Sequence, residues 1–454
     1  MGLARRDILR AGGVLAAGAA GLWAFMPREH RSRLGIPPGR TVVTYWEKWT
    51  GIEGDAVQRV VDAFNASQTR LWVYRLPVSD QNSKAMVAVG GGDPPDVAGL
   101  FSYSVPQYAQ AGAAISFDDL GIGIGPEYYA PAVARCLSHE GLLYAGANTC
   151  YTLALYYNRD HLIEAGLGPP TTLVELDAAA RALDRTNADN ELTRVGLLQT
   201  LPWWWPYAWP VLFGDPLYDE PTGKVTIASA ASKAAFEWLA SYPGRLGHDR
   251  ARSFASAFDR SFLSAGDPFL SGRASMCLQG PWMANFARRF APNLPYGVTT
   301  FPRLPGDVPG CPPRGVVECD VLIVPRGARE PEAAAEFVSF TQRREIQESL
   351  CQDHCKPSPL ASVSDTFVAT HPHPGIDVHN ALVSSPAAVV LPRIKSWKEY
   401  AVRTQTAFDA IWRGANPGET LDALSVSVQR LVDREADLQR QRGGPPLSEA
   451  SSAI

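Results

Sequence analysis

The stretch "RTVVTYW" at residues 40–46 is rich in β-branched and aromatic residues, as is typical of a buried first strand. After it, apolar residues between Val57 and Phe64 recur on one helical face, which predicts an amphipathic helix over about residues 53–67. A second strand, a second helix and a third short strand follow in "LWVYRLPV" (71–78), "KAMVAVGGG" (84–92) and "PPDVAGL" (94–100). This alternation predicts an α/β fold with a largely parallel sheet.

The alternation of strands and helices resumes after residue 150 and predicts a second α/β unit. Further strands are predicted at "YTLALYYN" (151–158), "RVGLLQ" (194–199) and "VLIVP" (321–325). Further helices are predicted over residues 171–184, 231–242, 331–342 and about 419–436. Thr172 and Glu175 have the spacing of a capping box, and Pro331 suits the first position of its helix.

The composition fits a globular protein and argues against a nucleic-acid partner. The chain has 454 residues, of which 46% are hydrophobic and 19% charged, and its net charge is −4. No long basic face is therefore expected. Residues 27–40 are predicted to form a linker, and residues 441–454 a disordered tail.

The first 26 residues have the features of an export signal. Arg5, Arg6 and Arg10 form a basic region, and the uncharged residues 11–25 after it are short for a membrane span. The arginine pair resembles a twin-arginine signal, although its neighbours depart from the usual pattern. We predict an exported, periplasmic or extracytoplasmic protein, whose N-terminal segment is cleaved or kept as a membrane anchor. An uncleaved amphipathic N-terminus is the alternative.

Neither a metal site nor an enzyme active site is predicted. Seven cysteines cannot all pair within one chain, and "CQDHC" (351–355) lacks the second ligand pair of a tetrahedral zinc site. A local disulfide and free thiols remain open for that motif. "HPHP" (371–374) is predicted to be a stiff, extended surface loop. No phosphate-binding, nucleophile-elbow or zinc-protease motif occurs, so we predict no catalytic residue, no metal and no cofactor.

Six stretches of the chain, in order, resemble the family 1 extracellular solute-binding proteins, the carbohydrate-capturing components of ABC importers and relatives of maltose-binding protein. They are "TVVTYWEKWTG" (41–51), "GGGDPPDVAGL" (90–100), "GLLYAGANTCYTLALYYNRDHLIEAGLGPPTTLVEL" (141–176), "GRASMCLQGPWMANFARRFAPNLPYGVTTFP" (272–302), "VLIVPRGAREPEAAAEFVSF" (321–340) and "LPRIKSWKEYAVRTQTAF" (391–408). The resemblance implies a periplasmic-binding-protein-like fold, with two α/β lobes, hinge crossings and a ligand cleft. Lobe one would comprise residues 41–150 and 318–370, and lobe two residues 151–317 and 371–440.

The function implied by this resemblance is the capture of a sugar or oligosaccharide. The protein would act as a monomer, close around its ligand and deliver it to a membrane permease. A phosphorylated polyol or glycerophosphodiester is an alternative ligand, but it would need a cationic clamp. The sequence also leaves open a secreted carbohydrate hydrolase and an adhesion or scaffold module.

The predicted ligand-binding residues combine aromatic rings, which stack on the C–H faces of sugars, with polar groups for the hydroxyls. They are Glu47, Trp49, Phe101, Tyr103, Asn148, Tyr151, Trp203, Trp204, Trp205, Gly280, Trp282, Glu318, Trp397, Tyr400 and Arg403. By the resemblance, Trp282 is the stacking aromatic and Tyr151 a polar ligand contact. Asp320 is an alternative to Glu318, whereas Asp96 is expected to serve its local turn.

Four tryptophans within "TLPWWWPYAWPVLF" (200–213) suggest a rigid aromatic loop. Its prolines argue against one uninterrupted strand or helix. We expect one or two of the three consecutive tryptophans to line the cleft, with Trp209 and Phe213 anchoring the segment. Trp397, Tyr400 and Arg403 share one helical face, where the family places an aromatic residue and an arginine.

Overall fold

Each of the six predicted strands overlaps a strand of the structure, which also contains strands that the sequence analysis did not predict. The structure, a computed structural model, describes residues 35–200, 205–258, 262 and 264–441. The strands are β1 (Thr41–Glu47), β2 (Leu71–Pro77), β3 (Val97–Phe101), β4 (Ser138–His139), β5 (Leu142–Leu143), β6 (Gly146–Thr152), β7 (Ala154–Asn158), β8 (Arg185–Thr186), β9 (Leu192–Leu197), β10 (Tyr218–Asp219), β11 (Lys224–Val225), β12 (Ala274–Gln279), β13 (Tyr296–Thr299), β14 (Gly315–Ile323) and β15 (Ala388–Val390).

The six predicted helices are present, with their ends shifted by a few residues, and the structure adds helices that were not predicted. They are α1 (Gly51–Ser67), α2 (Gln81–Gly90), α3 (Val105–Gln110), α4 (Pro131–Leu137), α5 (Arg159–Glu164), α6 (Leu173–Leu183), α7 (Ala208–Leu212), α8 (Ala230–Leu246), α9 (His248–Ser256), α10 (Met283–Phe290), α11 (Pro331–Thr341), α12 (Arg344–His354), α13 (Asp365–Ala369), α14 (Ile376–Val383), α15 (Trp397–Trp412) and α16 (Pro417–Gln441). The capping box of Thr172 and Glu175 is present, and Pro331 opens α11.

The first sheet has the strand order β15–β14–β3–β1–β2, with β6 also paired to β14. β1 is parallel to β2 and β3, as predicted, whereas β14 runs antiparallel to β3 and β6. Its hydrophobic core draws on residues between Val43 and Cys150 and between Val317 and Val390.

The second sheet has the order β13–β7–β12–β9–β8 and is mostly antiparallel. Only β12 and β9 run parallel in it. α6, α7, α8, α15 and α16 bury their apolar faces in a second core beside this sheet. Two α/β units, each with its own sheet and core, confirm the predicted two-lobed fold.

The predicted strand "YTLALYYN" is in fact two strands that belong to different sheets. β6 ends at Thr152 on β14, and β7 begins at Ala154 beside β12. Nearly all residues of both strands are buried, so no change in the alternation of buried and exposed positions marks the break. The chain therefore passes from one lobe to the other at Leu153.

Two motif predictions are resolved by the structure. All seven cysteines are free thiols, and Cys351 and Cys355 are buried, so no local disulfide joins them. The prediction of a surface loop at "HPHP" holds for its two exposed prolines but not for His373, which is only 1% exposed. Tertiary packing against β7 buries it, and the local sequence does not encode that packing.

Two features are absent from the described residues. Within them, no group of three or more His, Cys, Asp or Glu side chains is arranged to hold a metal ion. No helix in the same part of the chain is both long enough and apolar enough to cross a membrane.

Asp96 ties β1 to the start of α11. One carboxylate oxygen accepts from the backbone and the hydroxyl of Thr44, both at 2.7 Å. The other accepts the backbone N–H groups of Arg329 and Glu330, both at 3.0 Å. Asp96 is 3% exposed, so these four donors depend on it.

We expect Asp96→Ala to lower the free energy of unfolding by about 3 kcal/mol, because it leaves donors orphaned in the interior. The matched control is Asp93→Ala, since Asp93 meets the Arg329 guanidinium in a solvent-exposed pair. That pair should contribute at most about 1 kcal/mol. Urea unfolding of both variants measures the difference, and equal losses would contradict the assigned role of Asp96.

Candidate functional site

The candidate site lies where β6 and β14 leave the first sheet toward the second. Glu318 of β14 stands opposite Tyr151 of β6 in the register, and the Tyr151 hydroxyl donates to the Glu318 carboxyl group. Two residues along each strand, Thr149 donates to Asp320 at 2.7 Å. All four side chains are buried, so the crossing strands build a polar floor between the lobes.

Three aromatic rings line the first-lobe side of this floor. Trp49 follows β1, Phe101 is the last residue of the neighbouring strand β3, and Tyr103 follows it. Trp49 meets Phe101 edge-on with centroids 5.9 Å apart, and Phe101 stacks on Tyr103 at 5.8 Å. They share this place because the carboxyl ends of parallel strands meet at one edge of a sheet.

Three rings from β6 and the second-lobe loops complete the aromatic cluster. Trp282 follows β12 and lies 5.1 Å from the Tyr151 ring and 5.8 Å from that of Trp205. Gly280 permits this arrangement, because a Cβ there would lie 2.2 Å from the Trp282 ring. Trp205 and Tyr207 continue the aromatic contacts toward Trp397.

Lys356 lies between the two groups of rings. Its ammonium is 4.9 Å from the Trp49 ring centroid and 5.8 Å from that of Trp282. It also contacts the carboxylates of Asp320 at 2.8 Å and Glu53 at 3.3 Å. Burial alone would lower the pKa of Lys356, but these carboxylates outweigh it and raise the pKa, so the group is charged.

Lys48 pairs with the same carboxylate from the other side. Its ammonium lies 3.2 Å from Asp320 and 4.7 Å from the Phe101 ring centroid. Burial alone would raise the pKa of Asp320, but Lys356 and Lys48 lower it well below its ordinary value. Asp320 is therefore an ionised group with two cationic partners.

Glu318 differs from Asp320 in its charge. Burial raises its pKa to about 8, even though the hydrogen bond from Tyr151 opposes that shift. Its Oε1 atom is buried and has no hydrogen-bond partner among the described residues. Glu318 therefore presents a largely protonated carboxyl group at neutral pH, with one oxygen open to a ligand.

Several other buried polar atoms around the rings have no hydrogen-bond partner in the described part of the protein. The indole N–H groups of Trp49 and Trp282 are two of them. Gln279 is the last residue of β12, and Gln199 lies two residues after the parallel strand β9; their side-chain amides supply unpartnered donors as well. Buried polar atoms are normally satisfied, so this concentration marks a place for a polar ligand.

Two of the predicted site residues lie beneath the cluster rather than in it. Glu47 is fully buried and accepts from the Tyr45 hydroxyl and the backbone N–H of Lys48. Asn148 donates to the same Tyr45 hydroxyl at 3.4 Å. Both therefore support the loop after β1 that presents Trp49.

Three predicted residues of α15 lie away from the floor. Trp397 and Tyr400 are buried in the second core, where the Tyr400 hydroxyl donates to the Leu217 carbonyl. Arg403 bonds to Glu399 and to the backbone of Ser427 in α16. The shared helical face is thus a packing face, and Arg403 is committed to a neighbouring helix.

The tryptophan run is only partly described. Trp203 and Trp204 lie outside the described residues, whereas Trp205 contacts Tyr151 and Trp282. Trp209 and Phe213 pack on Trp238, which agrees with their predicted anchoring role.

The sequence reasoning missed five polar members of the cluster. They are Lys48, Glu53, Gln199, Gln279 and Lys356. The two glutamines could have been found, because one ends a predicted strand and the other directly precedes Gly-Pro-Trp. Lys356 carries no local signal, since its partners are distant in the chain.

A site between two α/β lobes, built at strand ends and on crossing strands, defines a binding protein of the periplasmic type. A sequence model of the bacterial extracellular solute-binding protein family matches residues 59–373. The chain belongs to this family, which confirms the resemblance drawn from the six stretches. Membership implies an exported protein.

Individual relatives are distant in sequence but close in fold. A binding protein of Brucella abortus (strain 2308) is 22% identical over 289 residues, 62% of this chain and 66% of its own length. The match thus spans slightly less than two thirds of the length of the curated relatives. A structure titled "CpMnBP1 with Mannobiose Bound" is 22% identical, covers 85% of this chain and 99% of its own, and has a TM-score of 0.74.

Two further solved structures are similar to this chain. The GacH receptor of Streptomyces glaucescens, solved unliganded and with acarbose, is 22% identical, covers 87% of this chain and 99% of its own, and has a TM-score of 0.71. The sugar-binding protein MalE of Xanthomonas citri is 17% identical, covers 88% and 100%, and has a TM-score of 0.72. These similarities confirm the fold.

The raised pKa of Glu318 predicts a pH-dependent stability. Between pH 4.5 and about 8 the unfolded carboxyl group ionises while the folded one stays protonated, so folded-state stability falls as pH rises through this window. Glu318→Gln places a neutral side chain at this position, so the variant should not lose stability in this way as the pH rises. Its free energy of unfolding relative to the wild type should therefore increase from pH 4.5 to 8 and level off above.

Urea unfolding at half-unit pH steps measures this difference. Glu237→Gln, at an exposed position on α8, is the matched control for the substitution itself. A constant offset for Glu318→Gln would contradict the raised pKa.

Proposed function

We propose that this protein captures a sugar or oligosaccharide between its lobes and delivers it to the permease of an ABC importer. One observation carries the proposal: aromatic rings from both lobes converge on buried polar atoms that lack a partner among the described residues. A carbohydrate matches both features, because its C–H faces stack on rings while its hydroxyls bond to planar polar groups.

The proposed ligand contacts combine residues found from the sequence with residues found from the structure. They are Trp49, Phe101, Tyr103, Tyr151, Trp205, Trp282 and Glu318, joined by Gln199, Gln279 and Lys356. No catalytic residue is proposed. Binding requires only that the ligand favour the closed arrangement of the lobes.

The charges at the site favour an uncharged ligand. Lys356 contacts Asp320 and Glu53, and Lys48 contacts Asp320, so both cations have carboxylate partners. A phosphate group would need a free cationic clamp, and Arg403 is bound to α16 instead. The glycerophosphodiester alternative is therefore the weaker one.

The solved relatives agree with this proposal. Their titles name mannobiose, acarbose and sugar binding for proteins that share the fold. We also propose that residues 1–26 direct export to the periplasm or the outer face of the membrane, and that the protein acts as a monomer. A structure titled as an ABC substrate-binding protein with cycloalternan is among the similar folds, which supports the transporter partner.

A carbohydrate hydrolase is the second candidate, because a largely protonated Glu318 lies near an ionised Asp320. Asp320 is held by two lysines and Thr149, which suits a structural anchor better than a nucleophile. Prolonged incubation with β-mannan or maltodextrin oligosaccharides, followed by a reducing-end assay, separates the two functions. New reducing ends would favour the hydrolase.

We expect Trp282→Ala to weaken sugar binding at least tenfold, because it removes a central stacking ring. Titrations of the full chain with manno- and malto-oligosaccharides, followed by tryptophan emission and calorimetry, measure the affinity. Trp72→Ala is the matched control, since the Trp72 ring lies on β2 beneath Arg40 and away from the cluster. This control should bind within twofold of the wild type.

Ligand at one hundred times its dissociation constant should also stabilise the wild type by about 2.7 kcal/mol. A panel that includes glycerophosphodiesters tests the alternative ligand class. Binding of a phosphodiester but of no neutral sugar would overturn the carbohydrate proposal, and so would equal binding by both tryptophan variants.

A further inference from the structure

Two buried histidines, His373 and His379, contact the hydroxyl of Tyr156 behind the candidate site, and the half-buried His371 lies beside them. The Nε2 atoms of His373 and His379 lie 2.8 and 3.1 Å from this hydroxyl, and the two imidazole rings are 5.0 Å apart. His371 precedes them, and its Nδ1 accepts the backbone N–H of His373 at 3.2 Å. We call these four residues the histidine–tyrosine array.

Hydrogen bonds to the backbone assign the tautomers of His371 and His373. The backbone N–H of Gly375 donates to His373 Nδ1 at 2.9 Å, so the proton of that ring is on Nε2. His371 also accepts at Nδ1, so its Nε2–H donates to the Lys356 carbonyl at 3.1 Å. Burial lowers the pKa of His373 to about 3 and that of His371 to about 4, which keeps both rings neutral.

The Tyr156 hydroxyl can donate one hydrogen bond and accept two. It donates to the Gly280 carbonyl at 3.0 Å, and it accepts from Nε2–H of His373 and of His379. His379 is left to accept at Nδ1 from the Thr152 hydroxyl, 2.8 Å away. With the Tyr156 proton on the Gly280 carbonyl, every donor in the chain has one acceptor, whereas the opposite tautomer of His379 would take that proton and leave the Gly280 carbonyl without the Tyr156 donor.

The array ends on two elements of the candidate site. At one end, the Tyr156 hydroxyl donates to the carbonyl of Gly280, two residues before Trp282. The other end holds the carbonyl of Lys356, whose ammonium lies 5.8 Å from the same Trp282 ring. The first element is part of the second-sheet loop after β12, and the second follows α12 on the first-lobe side.

The backbone of the array runs between the two lobes. α13 lies against α12, where Gln352 donates to the carbonyl of Phe367 and to Thr370. Further along the chain, Gly375 packs so closely on Val298 of β13 that a Cβ would lie 2.6 Å from it. The segment from His371 to His379 is therefore a further crossing, in addition to those near Leu153 and along β14.

We propose that His371, His373, His379 and Tyr156 are positioning residues that set the relative placement of Trp282 and Lys356 across the cleft. The inference rests on the proposed function, because positioning these two side chains matters only if they form a preorganised ligand site. It follows from a continuous set of hydrogen bonds, centred on the buried Tyr156 hydroxyl, that reaches the backbone on both sides. Preorganisation of this kind raises affinity by lowering the cost of ordering the site.

Tyr156→Phe tests the proposal, because it removes only the hydroxyl on which the array converges. We expect sugar affinity to fall about tenfold, as for the loss of a buried hydrogen-bond junction. Tyr296→Phe is the matched control, since the Tyr296 ring stacks on that of Tyr156 at 6.0 Å. This control should stay within twofold of the wild type.

Conservative substitution at His373 separates positioning from simple packing. Glutamine can place an N–H donor near the position of Nε2, whereas leucine fills space without one. We expect His373→Gln to recover most of the affinity that His373→Leu loses. Equal affinity of these two variants, both folded by circular dichroism, would contradict a role through the Tyr156 hydroxyl.

NMR spectra of the ligand-free protein give a readout that does not depend on sugar binding. Long-range ¹H–¹⁵N spectra should show the neutral Nε2–H tautomer for the three array members among the eight histidines. The indole N–H signal of Trp282, assigned from Trp282→Phe, should move in Tyr156→Phe and stay in Tyr296→Phe.

These outcomes distinguish the two proposals. If the wild type binds no sugar, the proposed function fails, while the tautomers and the indole shift still test the array. An unmoved Trp282 signal in Tyr156→Phe, or an Nδ1–H tautomer at His373, would overturn the array whatever the ligand is.

Discussion

The antiparallel pairing of β14 with β6 is the constraint on which the rest of the structure depends. β14 also joins β3 and β15, so it belongs to the first sheet, while the chain that follows β6 enters the second. Because alternate side chains of a strand share a face, the register sets Glu318 opposite Tyr151 and Asp320 opposite Thr149. A slip of one residue would turn both carboxyl groups away from the cleft.

Each buried charge at this floor is stabilised by the opposite charges beside it. Asp320 lies between Lys48 and Lys356, Lys356 also pairs with Glu53, and Lys48 lies 3.7 Å from the Glu47 carboxyl group. Removing any one partner would leave an uncompensated buried charge, which is far more costly than removing a balanced pair. The balance also lets a lysine lie among aromatic rings while the site as a whole favours uncharged ligands.

Much of the fold could be predicted because its signals are local. The strand β1, the helix α1 and the capping box of Thr172 each depend on residues within a few positions of one another. The errors arise where packing acts over distance. "YTLALYYN" divides between two sheets at Leu153, and His373 is buried by β7 despite flanking prolines that suit a surface loop.

The sequence by itself determined the α/β class, the family and the central aromatic residues Tyr151 and Trp282, because strand ends and motifs mark them locally. Only the tertiary structure decided that Lys356 joins them and that Arg403 is bound to a neighbouring helix. Lys356 is 36 positions from Asp320 and about three hundred from Glu53. Contacts of that kind depend on sheet register and on how two cores pack, and no local pattern of residues encodes either.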